Sequence, residues 1–190
     1  MRLWTVQPNE VYEIILAAGV YRYDSKKSEC IKYMSFTAPY KWLAKQMKKH
    51  IGPPPDGVTF PVWAWHTVNW KNKRPDMRWA EFMSEPRPFV LMEIEIPDGD
   101  VLLSDEELWH FVLNDCYLSA AENEDEYDED RKRFELPSEE EKQKEREKSW
   151  KRIFAVSPPI DNGWERIGCY IQATFWELHK EQIVKVWRYK

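Results

Sequence analysis

From Phe89 to Ile96, Val90, Met92, Ile94 and Ile96 alternate with Leu91, Glu93 and Glu95. A period of two sends successive side chains to opposite faces of a strand, so this run predicts a strand with one core face and one partly solvated face, ended by Pro97. The run Phe60–Val68 predicts another. It places Trp63, Trp65 and Thr67 on one face and Val62, Ala64 and His66 on the other, with Pro61 tolerable only near its start or at an edge. Leu3–Val6 reads as a short strand. Cys169–Leu178 and Ile183–Tyr189 read as two more, and the short polar connection His179–Gln182 predicts that they pair as a hairpin. In the first of these, Ile171, Ala173 and Phe175 make a core face. Tyr170, Gln172, Thr174 and Trp176 make a face that is aromatic and hydrogen-bonding at once.

Helical periodicity occupies the intervals. A helix with Pro8 in its first turn and Gly19 past its end carries Val11, Ile15 and Ala18 on one stripe, beside Tyr12 and Leu16. A second starts at Thr37 as N-cap and turns Tyr40, Leu43 and Met47 inward until Gly52 and Pro53–Pro55 stop it. Ser104 with Glu107 predicts a capping box for a helix containing Leu108, Trp109, Val112 and Leu113. Ser138 with Glu141 predicts another for a charged helix reaching Ile153 and Phe154. The run Glu122–Asp130 is almost continuously acidic; self-repulsion and little to bury predict an exposed loop within a charged insertion over residues 119–137. No internal repeat is present. These elements predict one α+β domain over residues 1–190, a mixed, largely antiparallel sheet with helices packed against it.

Composition narrows the function classes. The net charge of −5 disfavours general attraction to nucleic acid, but positive charge gathers at Lys41, Lys45, Lys48, Lys49, Lys71, Lys73, Arg74 and Arg78, interleaved with Trp42, Trp70 and Trp79. That stretch reads either as solvated helix and loop or as a phosphate-facing surface. Cys30, Cys116 and Cys169 are odd in number and lack C-x-x-C spacing, which predicts thiols packed in the core in place of disulfides or zinc ligands. With neither a signal-peptide pattern nor an apolar run of membrane-spanning length, a cytoplasmic protein is expected. The four histidines fall in no metal-binding motif, and His66 and His110 read as hydrogen-bonded structural imidazoles. Glu93 and Glu95 share one strand face, where solvation explains them more simply than acid–base chemistry. Glycine-rich phosphate loops and the G-x-S-x-G elbow do not occur in the sequence.

Eleven tryptophans in 190 residues set the leading expectation. Each indole offers a flat apolar face and one N–H donor, the equipment of a stacking pocket. Trp4, Trp63, Trp65, Tyr170, Gln172 and Trp176 are expected to line a cleft for a planar, nucleotide-like ligand. Gln172 and Thr174 would read its edge, and Arg2, Arg22 or a basic residue between Lys71 and Arg78 would meet phosphate. Two alternatives stand beside this: the rings simply fill a bulky core, or Lys71, Lys73, Arg74 and Arg78 bind single-stranded nucleic acid.

The whole chain resembles a bacterial and phage family known only as a domain of unknown function. The segments that carry the likeness are RLWTVQP at Arg2–Pro8, YKWLAKQM followed by IGPPPDGV between Tyr40 and Val58, and PVWAW at Pro61–Trp65. LLSDEELWHFVLN at Leu102–Asn114, SWKRIF at Ser149–Phe154 and IQATFWEL at Ile171–Leu178 complete them. A looser similarity is to ADP-ribosyltransferase-type folds, through Arg2–Thr5, Gly19–Arg22 and the late strand bearing Gln172. That likeness implies NAD as cofactor, gripped by Arg2 and Tyr21, with Gln172 or Glu177 near the reacting ribose. No histidine occupies the first strand, and Gln172 stands where a catalytic carboxylate is wanted. An amide can hydrogen-bond a ribose or a base edge but cannot ionise, so the likeness implies retained binding at least as readily as transfer.

Overall fold

Alternation in the strand Phe89–Glu95 organises the molecule, because both of its faces are covered. The computed structural model describes residues 1–23, 36–82, 86–134 and 138–190. β1 (Arg2–Pro8), β3 (Val62–Thr67), β4 (Phe89–Glu95), β5 (Leu102–Asp105), β8 (Ile171–Phe175) and β10 (Ile183–Tyr189) form one six-stranded sheet in the order β10-β4-β1-β3-β8-β5, antiparallel at every pairing. Two small sheets flank it, β2 (Val20–Arg22) with β9 (Glu177–His179), and β6 (Ile160–Asp161) with β7 (Arg166–Ile167). The helices are α1 (Asn9–Ala18), α2 (Thr37–His50), α3 (Glu106–Leu113), α4 (Glu124–Arg133) and α5 (Glu139–Ser149). The architecture is α+β, and the first and last strands of the main sheet both pair with β4.

The first face of the sheet presents Leu3, Val62, Ala64, Val90, Met92, Ile94, Ala173 and Phe175 to Val11 and Ile15 of α1. Val11, Ile15 and half-buried Tyr12 meet the stripe expected from the sequence, whereas Leu16 and Ala18 are exposed; Gly19 closes α1 in the left-handed region (φ 79°) while donating its N–H to the Ile15 carbonyl. The second face carries two apolar clusters. One joins α2, α3 and the 3₁₀ turn Trp150–Phe154 around Leu43, Met47, Leu108, Val112, Trp150 and Ile153. The other brings Val68, Met77 and Phe82 of the segment after β3 down onto Trp4, Val6, Phe89 and Leu91.

Several sequence expectations are corrected. The final strands are not a hairpin: β8 and β10 lie on opposite sides of the sheet, separated by β3, β1 and β4. The chain leaves the sheet at Trp176, pairs β9 with β2, and returns along β4. Ser104 does not cap α3. It sits fully buried on β5, and Asp105 is the cap, its carboxylate accepting from the Leu108 N–H at 3.0 Å and the Gly168 N–H at 2.6 Å. Thr37 is the first residue of α2, which Phe36 precedes without a side-chain cap. The acidic run is helical. Asn123 caps α4 by accepting from the Glu126 N–H, and acids in the first turn are favoured by the helix dipole while Arg131 and Lys132 occupy the far end. Cys116 is exposed, Cys169 alone of the described thiols is buried, and Cys30 lies outside the described residues. Ser138 caps α5 as expected, accepting from the Glu141 N–H at 3.2 Å. Among the described residues no helix is long and apolar enough to cross a membrane.

Asp105 ties α3 to the loop before β8, so Asp105→Ala should destabilise the protein by about 2 kcal/mol, measured by urea unfolding. A cost below about 0.5 kcal/mol would show that another group caps α3.

Candidate functional site

Strand register assembles the second sheet face. Lys185 stands opposite Glu93, Glu93 opposite Trp4, Trp4 opposite Trp65, Trp65 opposite Gln172, and Gln172 opposite Ser104. Strands lie about 4.8 Å apart, so these six residues form one transverse row on a single face. The row runs from β10 to β5, and its centre lies where the two apolar clusters meet: Trp65 packs edge-on to Phe82 at 5.1 Å in one, while neighbouring Trp63 packs against Trp109 at 5.3 Å and Tyr40 at 5.9 Å in the other.

Four buried side-chain polar atoms among the described residues lack a protein hydrogen-bond partner: Trp4 Nε1, Trp63 Nε1, Ser104 Oγ and Gln172 Oε1. All four belong to this one face. Trp4 is 4% exposed and Ser104 is fully buried. The concentration is informative because most buried polar groups are paired, and an unpaired one costs about 1–3 kcal/mol. Neighbours of the same chemistry are satisfied. Thr5 Oγ1 donates to the Trp63 carbonyl at 2.7 Å, Thr174 Oγ1 to the Leu102 carbonyl at 3.2 Å, Trp176 Nε1 to the Gly52 carbonyl at 3.0 Å, and Trp150 Nε1 to the Cys116 carbonyl at 2.7 Å. The free groups comprise two N–H donors, one carbonyl acceptor and one hydroxyl that can do either.

Of the residues expected from the sequence, Trp4, Trp63, Trp65, Gln172 and Thr174 share this face. Tyr170 stands at its edge, packed near Phe82 and donating its hydroxyl to Asn69 Oδ1 at 2.9 Å; burial pushes the phenol pKa up. Trp176 follows the end of β8 and is buried in the cluster beneath α2, its indole N–H already engaged. Arg2 is on the same face but is held by Glu93 at 3.3 Å and Glu95 at 3.6 Å. Tyr21 and Arg22 are elsewhere. They lie on β2, with Tyr21 packed into the cluster of the opposite sheet face. Arg22 Nε donates to Glu177 at 2.7 Å, and His179 Nε2 meets the other oxygen of that carboxylate at 2.9 Å. Burial acts to raise the Glu177 pKa, but these two partners outweigh it and hold the carboxyl below its ordinary range. The pair expected to grip NAD, Arg2 and Tyr21, is thus separated by the sheet.

His66 contacts Thr67 Oγ1 at 2.8 Å and has its pKa lowered chiefly by burial, and His110 meets Glu106 at 3.1 Å. The described residues contain no cluster of three or more potential metal ligands. Two surface depressions, of about 490 and 500 Å³, lie away from the row. Asn9, Phe89 and Tyr189 line the first, and Lys41, Lys45, Lys48 and Phe60 line the second. Ser104 is the site residue that sequence reasoning missed. The alternation Leu102, Ser104 along β5 placed it on this face, but the downstream Glu107 made it resemble a helix cap.

A family model described as a domain of unknown function, DUF3841, matches residues 2–184. No curated protein and no solved structure matches the chain.

Because the Ser104 hydroxyl is buried without a protein partner, Ser104→Ala should leave stability unchanged or raise it by up to about 1 kcal/mol in chemical denaturation. A loss greater than about 1 kcal/mol would show that the hydroxyl is hydrogen-bonded in solution.

Proposed function

Because the chain belongs to the DUF3841 family of domains of unknown function, its role has to be read from the site, and we propose that it binds a small planar, nucleotide-like ligand on the second sheet face. The observation that carries this reading is the grouping of Trp4 Nε1, Trp63 Nε1, Gln172 Oε1 and Ser104 Oγ, unpartnered, on one face. Two indole N–H groups call for two acceptors, and the Gln172 carbonyl calls for a donor between or beside them. A heterocycle with ring nitrogens and exocyclic carbonyl or amino groups on a rigid edge meets that demand, as nucleobases do. Indole faces add stacking worth about 1–3 kcal/mol per ring.

The ligand would occupy the seam between the two clusters. Met77 and Phe82 pack in the cluster on one side of that seam, so a ligand entering from that side would have to displace them. The row supplies donors, acceptors and ring faces, which is the equipment of recognition. Its cation, Lys185, lies at the far end beside Glu93.

Thermal unfolding with nucleobases, nucleosides, nicotinamide and a flavin, each near 100 times its dissociation constant, should reveal one class that stabilises the protein by about 2.7 kcal/mol. That corresponds to a rise of several degrees in Tm, with quenching of Trp fluorescence. Gln172→Leu and Trp4→Phe should abolish the shift. If no compound in the panel moves either signal, or if both variants respond like the parent, the reading fails.

A further inference from the structure

The segment after β3 crosses the same end of the sheet, and its outer surface has a chemistry of its own. Trp70 N–H donates to the Cys169 carbonyl at 3.1 Å beside β8. Two residues on, Asn72 Nδ2 donates to the carbonyls of His66 at 2.7 Å and Arg2 at 3.1 Å. Two further on, the Arg74 guanidinium lies 4.5 Å over the Trp187 ring of β10. Residues 70–74 are therefore an extended strap laid across the sheet from one side to the other. Buried Pro75 and Met77 anchor its end, while Asn69 through Arg74 are all exposed.

A cation stacks on an aromatic ring at each end of the strap. Arg166 lies 5.9 Å over Trp70 at one, and Arg74 and Lys185, at 4.5 and 5.0 Å, lie over Trp187 at the other. Lys71 and Lys73 project from the strap between them. None of these five cations has a carboxylate within ion-pair distance among the described residues. Asp161 stands across the strand pair from Arg166, and it and Glu107 draw on that guanidinium without closing an ion pair; the other nearby acids are taken up elsewhere. Arg2 holds Glu93 and Glu95, and Arg78 grips Asp76 at 2.5 Å, holding that carboxyl at a pKa of about 2.

The way Trp70 is presented adds a second, independent observation. Val68 and Lys71 exchange backbone hydrogen bonds across a two-residue turn in which Asn69 (φ 49°) and Trp70 (φ 64°) are both left-handed. Such turns favour Asn followed by Gly, and a bulky side chain in the second place is an unfavourable choice for the backbone. It leaves an indole 37% exposed beside Arg166, and Trp79, beyond the strap, is 62% exposed. Exposed rings interleaved with cations that close no ion pair suit a chain of bases and phosphates: rings stack on bases, and cations follow the backbone.

We propose that the outer surface of residues 70–74, with Arg166 and Lys185, is an interface for single-stranded nucleic acid. Its bases stack on Trp70, and its phosphates meet Lys71, Lys73 and Arg166. Apart from Lys185, at the far end of the row, this surface lies outside the row and does not depend on a ligand there.

Fluorescence anisotropy with fluorescein-labelled 15-mers of dT and rU, a duplex of equal length, and unlabelled heparin and polyglutamate as competitors tests the assignment. Single strands should bind more tightly than duplex. The logarithm of the association constant should fall against log salt with a slope near −2, as expected for about three phosphates at roughly −0.7 each. Lys71→Ala/Lys73→Ala should weaken binding about tenfold and flatten that slope by about 1.4. Trp70→Gly suits the left-handed position, so it should retain or raise Tm while reducing affinity about fivefold or more. The proposal is overturned if no single strand binds at low salt, if duplex binds as tightly, or if polyglutamate displaces the parent as well as heparin does. It is equally overturned if Trp70→Gly keeps full affinity, which would leave only nonspecific attraction of a polyanion.

Discussion

The pairing of Trp4 with Trp65 across β1 and β3 is the contact on which the arrangement rests. It locks the parity of the central strands. Given that register, Glu93, Gln172 and Ser104 must share a face with the two indoles, and Leu3, Val62, Ala64 and Ala173 must share the other. A slip of one residue would send the tryptophans under α1 and turn the aliphatic row toward the strap. One geometric choice thus excludes the slipped pairings, because bulky rings do not fit where the small Ala64 and Ala173 pack in the α1 cluster.

The two faces carry different kinds of stability. The α1 face is mainly aliphatic, and Thr5 and Gln7 on it are internally bonded through the chain Gln7 Nε2 to Thr5 Oγ1 to the Trp63 carbonyl. The other face is divided between two clusters and leaves four polar atoms without protein partners at the division. A purely structural face would be expected to bury aliphatic side chains there. Concentrating unsatisfied groups on one face is a cost that the proposed recognition of a polar ligand would offset, since the same groups become assets once paired.

The strap extends that contrast to the surface. Left-handed Trp70, an extended run of exposed residues and stacked cations are all features that a connection selected only for stability would not combine. The strap also roofs the row, since Val68 and Met77 at its two ends both pack into the cluster around Trp4. Movement of this one segment would therefore bear on both the inner face and the outer surface.

Much of the fold was legible in the sequence. Alternation over Phe89–Ile96 and Val62–Trp65, the Pro8 and Gly19 punctuation of α1 and the Ser138 cap are local signals, because backbone periodicity and terminal hydrogen bonds are decided within a few residues, whereas Thr67, expected on the face of Trp63 and Trp65, is set opposite Ile171 by a register shift. The same alternation placed Trp63, Trp65, Gln172 and Thr174 on shared strand faces. Tertiary structure decided what local signals cannot carry. It sent β10 to β4 instead of β8, gave the α3 cap to Asp105 because Gly168 reaches it from sixty-three residues away, and separated Tyr21 from Arg2. Above all, whether a buried polar atom has a partner depends on which distant strand lies beside it. The sequence could name Trp4 and Gln172 as candidates, but only the register across β1, β3, β8 and β5 could show that they stand unpaired in one row.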